Sequence, residues 1–241
     1  MEHVIAYEGK LVSLGLMQKE YGPHFFEWAN SREGIEGTLL RPPYTLNNWE
    51  EWLASLDKGK GSNEVFAILL HDEREGKRTY QYVGHTGLHN VRWPEGRGST
   101  GSVIGDAAAR QRGCGTEAKL HLLYHGFQVM GLRKIVSSVK AWNAQSLGHL
   151  VKSGYQVIGR HRRHVFHEGN LVDEILLEVF REDWEPIWGG VPGNRRAAEA
   201  YRRAARFHRK RNKFVTTASR PPLAAAFPHK EAVHTRKGCY A

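Results

Sequence analysis

Cysteines and long apolar runs are the features that this sequence most clearly lacks. Its 241 residues include two cysteines, Cys114 and Cys239, too few for a disulfide scaffold and typical of a reducing compartment. No run approaches the roughly 20 apolar residues of a membrane span, and the N-terminal residues lack the basic start and apolar block of a secretory signal. We therefore expect a cytoplasmic protein without a membrane contact.

Acidic residues are scarce at the C-terminal end of the chain. The formal net charge is +10, and residues 187–241 contain 13 Lys and Arg against 2 Asp and Glu. Residues 1–186 are close to neutral, with 22 basic and 23 acidic side chains. A link rich in glycine and proline over 189–193 separates the two parts, and a helix is expected over 195–213. The basic extension is either a solvated, poorly ordered tail or, over 195–237, a contact surface for RNA, the ribosome or an acidic partner.

The near-neutral body alternates between short strands and helices. The predicted strands cover 10–16, 65–71, 80–90, 100–105, 134–141, 155–160 and 171–181, and those over 65–71 and 80–90 are expected to form a hairpin across a charged turn. The predicted helices cover 19–30, 47–56, 117–130 and 144–152. The helix over 117–130 is predicted to be amphipathic, because its apolar residues recur at helical spacing. This order predicts an α/β (α+β) fold, in which a mixed sheet carries helices on both faces.

A basic loop with two glycines joins the strand over 100–105 to the best predicted helix. We call it the cradle loop; it reads Arg110-Gln111-Arg112-Gly113-Cys114-Gly115-Thr116. Its glycines allow the backbone to approach a ligand closely, and the first N–H groups of the following helix favour an anion. The loop matches neither a P-loop nor a dinucleotide-binding fingerprint. It predicts a phosphate-binding site, with a ligand-free strand-to-helix turn as the alternative.

The spacing Arg110-x-x-Gly113-x-Gly115 resembles the acetyl-coenzyme A (acetyl-CoA) signature of the GCN5-related N-acetyltransferases. Further segments are similar to that family in the same order, and in particular to its branch that acetylates ribosomal proteins. They are Phe26-Glu27-Trp28-Ala29-Asn30 with Trp49-Glu50-Glu51-Trp52-Leu53, Val83-Gly84-His85-Thr86-Gly87-Leu88, Gly115-Thr116-Glu117-Ala118, Asn143-Ala144-Gln145-Ser146 with Lys152-Ser153-Gly154-Tyr155, and Gly159-Arg160 through Glu182-Asp183-Trp184. The resemblance covers about residues 8–186, which we take as one domain.

This resemblance implies how the cofactor is held. It implies a mostly antiparallel, twisted sheet in which two central strands splay apart, with the pantetheine arm paired to the exposed edge of the first of them over 102–105. The pyrophosphate would accept hydrogen bonds from the N–H groups of 111–116. Asn143 would form a hydrogen bond with the pantetheine arm, a role compatible with capping the next helix. The implied acetyl-CoA contacts are Val103, Ile104, Arg110, Gln111, Arg112, Gly113, Cys114, Gly115, Thr116 and Asn143.

Acetyl transfer also requires an acid that protonates the leaving thiolate. Many family members use a tyrosine seven residues after the asparagine, but here that position is Leu150. In the ribosomal-protein branch the acid is a serine three residues after the asparagine. The resemblance therefore implies Ser146 as the acid, with a solvated hydroxyl in the first helical turn as the alternative.

The base that takes the proton of the acceptor amine is harder to assign. A glutamate serves in the same branch, but the matching position here is Val165. His85 and His89 lie on the predicted hairpin strand over 80–90, and Asp106 follows the next strand. We name His89 and Asp106 as candidate bases; a histidine can serve because it titrates near neutral pH. The histidines within 160–167 lack the ligand spacing of a metal site, so we predict no metal.

These features favour an acetyl-CoA-dependent N-acetyltransferase that releases CoA and acts on an amine, such as a protein N-terminus or lysine, for example of a ribosomal protein. An RNA- or ribosome-binding protein that keeps this fold with little catalysis is one alternative. An enzyme that acetylates a small-molecule amine and a sensor that binds acyl-CoA without transfer are others. The chain is expected to be a monomer or a homodimer.

Overall fold

The computed structural model describes residues 2–38, 43–58, 62–74 and 77–188. Within these ranges the strands are β1 (Ile5–Tyr7), β2 (Val12–Leu16), β3 (Glu64–Arg74), β4 (Lys77–Arg92), β5 (Arg97–Ile104), β6 (Lys134–Lys140), β7 (Gln156–His167) and β8 (Asn170–Phe180). The α-helices are α1 (Gly22–Asn30), α2 (Arg32–Gly37), α3 (Leu46–Lys58), α4 (Cys114–Tyr124), α5 (Ala144–Lys152) and α6 (Arg181–Trp188). The predicted basic extension, with its helix over 195–213, lies outside the described residues apart from 187 and 188.

All of these strands join one sheet in the order β1-β2-β3-β4-β5-β6-β8-β7. Each neighbouring pair is antiparallel except β5 and β6, which run parallel. This parallel pair is joined over three residues, 97–99 of β5 against 134–136 of β6. Beyond Ser99 the two strands separate and leave a gap in the sheet. The prediction of a mixed, mostly antiparallel sheet with splayed central strands is therefore confirmed.

Strand β3 shows why helices cover both faces of the sheet. Its side chains alternate in direction: Phe66 and Ile68 are buried in a large core beneath α4 and α5, whereas Ala67 and Leu69 are buried in a smaller core. Aromatic side chains of α1 and α3 fill that smaller core. The predicted placement of helices on both faces is confirmed.

Helix α4 begins earlier and is more deeply buried than its sequence pattern predicts. It starts at Cys114 rather than at 117, and after Tyr124 it continues as a π turn over His125–Val129. In the predicted apolar stripe Leu120, Leu123 and Phe127 are buried, whereas Tyr124 and Met130 are partly buried. Lys119 and His121, outside that stripe, are each 1% exposed. The helix contacts β2, β4, β5 and α5, so it lies inside the protein rather than at its surface.

Three short elements escape the sequence analysis. Strand β1 has three residues, too few for a visible alternation, and it precedes the predicted domain start at residue 8. Helix α2 has six residues and begins at Ser31, whose hydroxyl accepts the N–H of Gly34 at 3.0 Å. Helix α6 contains Pro186, which masks its helical pattern. None of the described helices is long and apolar enough to cross a membrane.

Candidate active site

A cavity of about 580 Å³ lies where β5 and β6 separate. One side is the edge of β5 over residues 102–105 and the cradle loop with the start of α4. The opposite side is the first turn of α5, from Asn143 onward. Its far wall is formed by α1 and the start of α2. The segments that the resemblance brings together as a cofactor site thus surround one space.

The backbone of the cradle loop turns back on itself at two positions. Gln111 has φ 61° and Gly113 has φ 98°, in the left-handed region that a glycine adopts without strain. Gly113 is also the residue at which α4 is capped. Left-handed residues next to a helix N-terminus direct successive N–H groups toward one point, an arrangement that binds anions.

The side chain of Arg110 holds the loop against the end of β5. Its Nε donates to the carbonyl oxygen of Ile104 at 3.0 Å, and its Nη2 donates to that of Gly105 at 2.9 Å. These carbonyls lie at the end of β5, and the side chain that bonds them also lines the cavity. Arg110 therefore combines a positive charge at the cavity with a structural bond to the strand.

Glu117 fixes the first turn of α4 to the segment that leads into β2. Its carboxylate accepts the N–H groups of Lys10 at 2.7 Å, Leu11 at 2.8 Å and Val12 at 3.2 Å. Three backbone donors at the start of β2 are satisfied by one side chain. A carboxylate in the first helical turn also interacts favourably with the positive end of the helix dipole. The position of the cradle loop is set by this contact, which sequence analysis does not identify.

Asn143 and Ser146 meet at the opposite side of the cavity. Asn143 is the N-cap of α5, and its Oδ1 accepts the N–H of Ser146 at 2.9 Å. Both residues line the cavity. The cap uses the amide oxygen of Asn143 and the backbone of Ser146, so the asparagine NH₂ group and the serine hydroxyl are not used by it.

The far wall contains side chains that are not among the predicted site residues. Phe25, Trp28 and Glu33 line the cavity there, as does His85 of β4. Burial, followed by the charge on His89, lowers the pKa of His85 to about 4, so its imidazole is neutral at pH 7. In the sequence, this wall is indicated only by the family-like block over 26–30, and that block does not show which of its residues line a site.

His89 does not line this cavity, although it lies on the same strand as His85. In the register of β4 with β5, His85 is opposite Val103, whereas His89 is opposite Ser99. Ser99 is still paired with β6, at the closed end of the gap. Burial and the charge on Lys119 lower the pKa of His89. The assignment of His89 as the base stays a prediction.

Three other predicted site residues lie beside the cavity without lining it. The Asp106 carboxylate accepts the N–H of Ala108 and the amide of Gln81, each at 2.8 Å, and so caps a short 3-10 turn. The thiol of Cys114 is buried in the large core, where burial raises its pKa. Arg112 is exposed. The predicted roles of these residues are not tested by this placement.

Comparison with known proteins decides the family. The family model described as "Acetyltransferase (GNAT) domain" matches residues 14–156, more than half of the chain. The chain belongs to the GNAT acetyltransferase family. The family that the sequence resembles is thereby confirmed, and no curated protein matches the chain closely enough to add to it.

Solved structures share the fold of this GNAT protein at low sequence identity. Spermidine N-acetyltransferase from Vibrio cholerae, in complex with CoA and spermine, superimposes with a TM-score of 0.63 at 13% identity, covering 72% of this chain and 98% of that one. Ribosomal-protein-S5-alanine acetyltransferase from Vibrio fischeri gives 0.61 at 18%, covering 75% and 98%. A probable GNAT acetyltransferase from Chromobacterium violaceum gives 0.60 at 22%, covering 74% and 87%.

The GNAT protein is thus an N-acetyltransferase that uses acetyl-CoA. The observed cavity suits such a cofactor on physical grounds. Its cradle loop presents left-handed backbone and a helix N-terminus to an anion, and a strand edge that has lost its partner runs beside it. An elongated molecule with phosphates at one end and amides along its arm matches both features.

Proposed function

We propose that this protein acetylates an amine carried by another protein, either an N-terminus or a lysine, with a ribosomal protein as the first candidate. The supporting observation is the charge of the cavity. Among the described residues that line it, Glu33 is the one carboxylate, whereas Arg110 and Lys152 are cationic. A single carboxylate matches one ammonium group. A polyamine carries several positive charges, and one carboxylate would balance only one of them.

The cofactor is proposed to lie along β5. The edge over 102–105 would pair with the pantetheine arm, while N–H groups of 111–116 and the charges of Arg110 and Arg112 would hold the pyrophosphate. The NH₂ group of Asn143 would donate to an amide oxygen of the arm. Acetyl-CoA supplies an activated acetyl thioester. The protein's own share is to orient that group and to exclude competing nucleophiles.

Protons are proposed to be handled by Ser146 and Glu33. The Ser146 hydroxyl would donate its proton to the leaving thiolate. The Glu33 carboxylate would bind the incoming ammonium and accept the proton that it loses, so that the neutral amine attacks the thioester. The lining histidines suit neither a cationic role nor strong base catalysis, because burial lowers the pKa of His85 to about 4 and of His149 to about 3. Because these imidazoles are neutral, they add no positive charge that would repel the incoming ammonium.

The basic extension is proposed to bring the enzyme to RNA-rich particles in the cytoplasm. Its support is the segregation of charge, since residues 187–241 hold 13 of the 35 basic side chains and 2 of the 25 acidic ones. Binding of this kind depends on phosphate neutralisation and weakens steeply with salt. Such docking would place the cavity near the termini of ribosomal proteins.

The test is release of CoA from acetyl-CoA, followed with a thiol reagent. Three acceptors separate the substrate classes: a peptide with a free N-terminus and no lysine, an N-acetylated peptide with one lysine, and spermidine. We expect release with one of the peptides and little with spermidine. Release with spermidine alone would replace the proposal with a polyamine substrate. Acetyl-CoA binding without release in any arm would favour a binding protein that kept the fold.

A further inference from the structure

A β-bulge in β7 brings two histidines to the same side of the sheet. His161 pairs with Glu174 and Val165 pairs with Val172, so the ladder is irregular between these points. Side chains three residues apart in a regular strand point to opposite faces. Here Arg163 adopts φ 50°, and the imidazoles of His161 and His164 lie next to each other, with ring centroids 4.6 Å apart.

Both imidazoles face the same carboxylate oxygen. His161 Nδ1 is 3.5 Å from Glu174 Oε2, and His164 Nε2 is 3.6 Å from it. All three atoms lie within 4.8 Å of one another. Ligands of a tetrahedral zinc ion with bonds of about 2.0–2.1 Å are separated by about 3.4 Å. The two histidine–carboxylate distances already match this separation. A rotation of the exposed imidazoles would bring their two nitrogens, which lie within 4.8 Å of each other, to the same separation.

A fourth residue orients the carboxylate. Ser138 on β6 donates its hydroxyl to Glu174 Oε1 at 2.7 Å, which leaves Oε2 facing the histidines. The side chain of Glu174 is 14% exposed, whereas those of the two histidines are about half exposed. A ligand carboxylate held by an outer hydrogen bond is the usual design of a metal site, because the outer partner fixes the direction of the lone pairs.

Nearby positive charge is partly neutralised. Arg160 forms an ion pair with Asp173, and the backbone N–H of Arg163 also donates to that carboxylate, at 2.7 Å. Arg162 and Arg163 are exposed, where solvent and salt screen their charge. The surroundings therefore lower the affinity for a cation without excluding it.

The spacing of the histidines along the sequence predicts no metal, since it does not reveal that Glu174 lies beside two of them. We propose that His161, His164 and Glu174 bind one zinc ion or a similar divalent transition metal, with water completing the coordination. Two imidazoles and a carboxylate are the ligand types that suit such ions. None of the three residues lines the cavity. The ion is therefore assigned a structural role, in which it joins the bulge of β7 to β8.

The test is calorimetric titration of the full-length protein with ZnCl₂ after treatment with a chelator, compared with the double variant His161→Ala/His164→Ala. Other histidines of the chain can also bind zinc weakly. The measured quantity is therefore the difference in zinc stoichiometry between the wild type and the double variant. The control is His167→Ala: this histidine lies on the same strand but stacks on Trp142, with centroids 4.4 Å apart. We expect the double variant to lose one zinc equivalent and the control to keep it.

A second variant keeps the test independent of folding. Ser138→Ala retains all three ligands and should weaken zinc binding about 10-fold or more, as loss of an outer partner does. Cobalt binding with visible absorption bands in the wild type, lost in the double variant, would report coordination directly. Equal zinc stoichiometry in the wild type and the double variant would overturn the proposal, as would the absence of binding to the wild type.

Discussion

The indole of Trp28 lies directly against the backbone of Gly105. A Cβ atom added at Gly105 would overlap the six-membered ring of Trp28. The indole also stacks on Tyr82, with ring centroids 5.3 Å apart. Both Trp28 and Gly105 line the cavity. A glycine is therefore required directly after β5, because the indole at the far wall of the cavity leaves no room for a side chain.

Replacing Gly105 by alanine should displace Trp28 and disturb the far wall of the cavity, where the acceptor is proposed to bind beside Glu33. We expect a loss of about 1–3 kcal/mol in the free energy of unfolding, as overpacking costs, together with a rise in KM for the acceptor. Urea unfolding and steady-state CoA release measure the two effects. The control is Gly101→Ala on β5, where the added Cβ would meet His89 at 3.6 Å, an ordinary contact. Equal KM values for the two variants would contradict this role for Trp28.

Gly115→Ala tests the cradle loop without straining the protein. The added Cβ would meet Ile104 Cγ1 at 3.8 Å, an ordinary contact, and alanine is the better helix former. We therefore expect unchanged or slightly higher stability. Acetyl-CoA binding should be weakened at least about 10-fold, which is about 1.4 kcal/mol, because the added methyl group would lie where the phosphates approach the backbone. Calorimetric titration with acetyl-CoA measures this.

The matched control for that substitution is Gly159→Ala. Its Cβ would also meet a neighbour at 3.8 Å, the Cδ1 atom of Leu176, but Gly159 does not line the cavity. Unaltered affinity in both variants would show that the cradle loop does not contact the cofactor.

Ser146→Ala should affect the chemical step rather than binding. The N-cap bond of Asn143 uses the backbone N–H of Ser146, so α5 keeps its cap. If the hydroxyl protonates the thiolate, kcat should fall about 10²-fold, within the usual range for a general acid, while the Kd for acetyl-CoA stays the same. Gln145→Ala, an exposed neighbour that also lines the cavity, should retain kcat. A wild-type kcat in Ser146→Ala would assign the proton to solvent.

Lys119 should make the stability of the protein depend on pH. It is 1% exposed on α4, and burial lowers its pKa from 10.5 to about 7. Between these values the unfolded chain binds more protons than the folded one, so the free energy of unfolding rises with pH from about 7 to 10.5. Lys119→Met should therefore stabilise the protein most at pH 6–7 and progressively less toward pH 10.

Urea unfolding of both proteins at several pH values checks this prediction. The control is Lys77→Met, a substitution of an exposed lysine on β4, which should change stability by no more than about 0.5 kcal/mol. A constant difference between Lys119→Met and the wild type at all pH values would contradict the burial argument.

Deletion of residues 190–241 should separate the two proposed activities. We expect the shortened protein to keep the acetyl-CoA affinity of the full chain, since every residue proposed to hold the cofactor precedes the deletion. Its affinity for RNA or ribosomes should fall, and the remaining binding should depend less on salt. Filter binding across a salt series measures this. Equal ribosome affinity in both proteins would show that the extension is not the contact surface.

Local sequence patterns predicted the elements around the cavity well. The strand over 100–105, the cradle loop and the helix that follows it lie next to one another in the chain, and the structure places them together. The hairpin of β3 and β4 is likewise a local feature and is confirmed. Short elements such as β1 and α2 carry too few residues for a periodic pattern to distinguish them from loops.

The sequence by itself determined the family, the cofactor and the segregation of charge, because each of these depends on residues close together in the chain. Only the tertiary structure decided which side chains meet. The register of β4 with β5 places His85 rather than His89 at the open end of the gap, and a bulge in β7 turns His161 and His164 toward Glu174. Register and bulges arise from pairing between distant segments, so spacing along one strand does not reveal them.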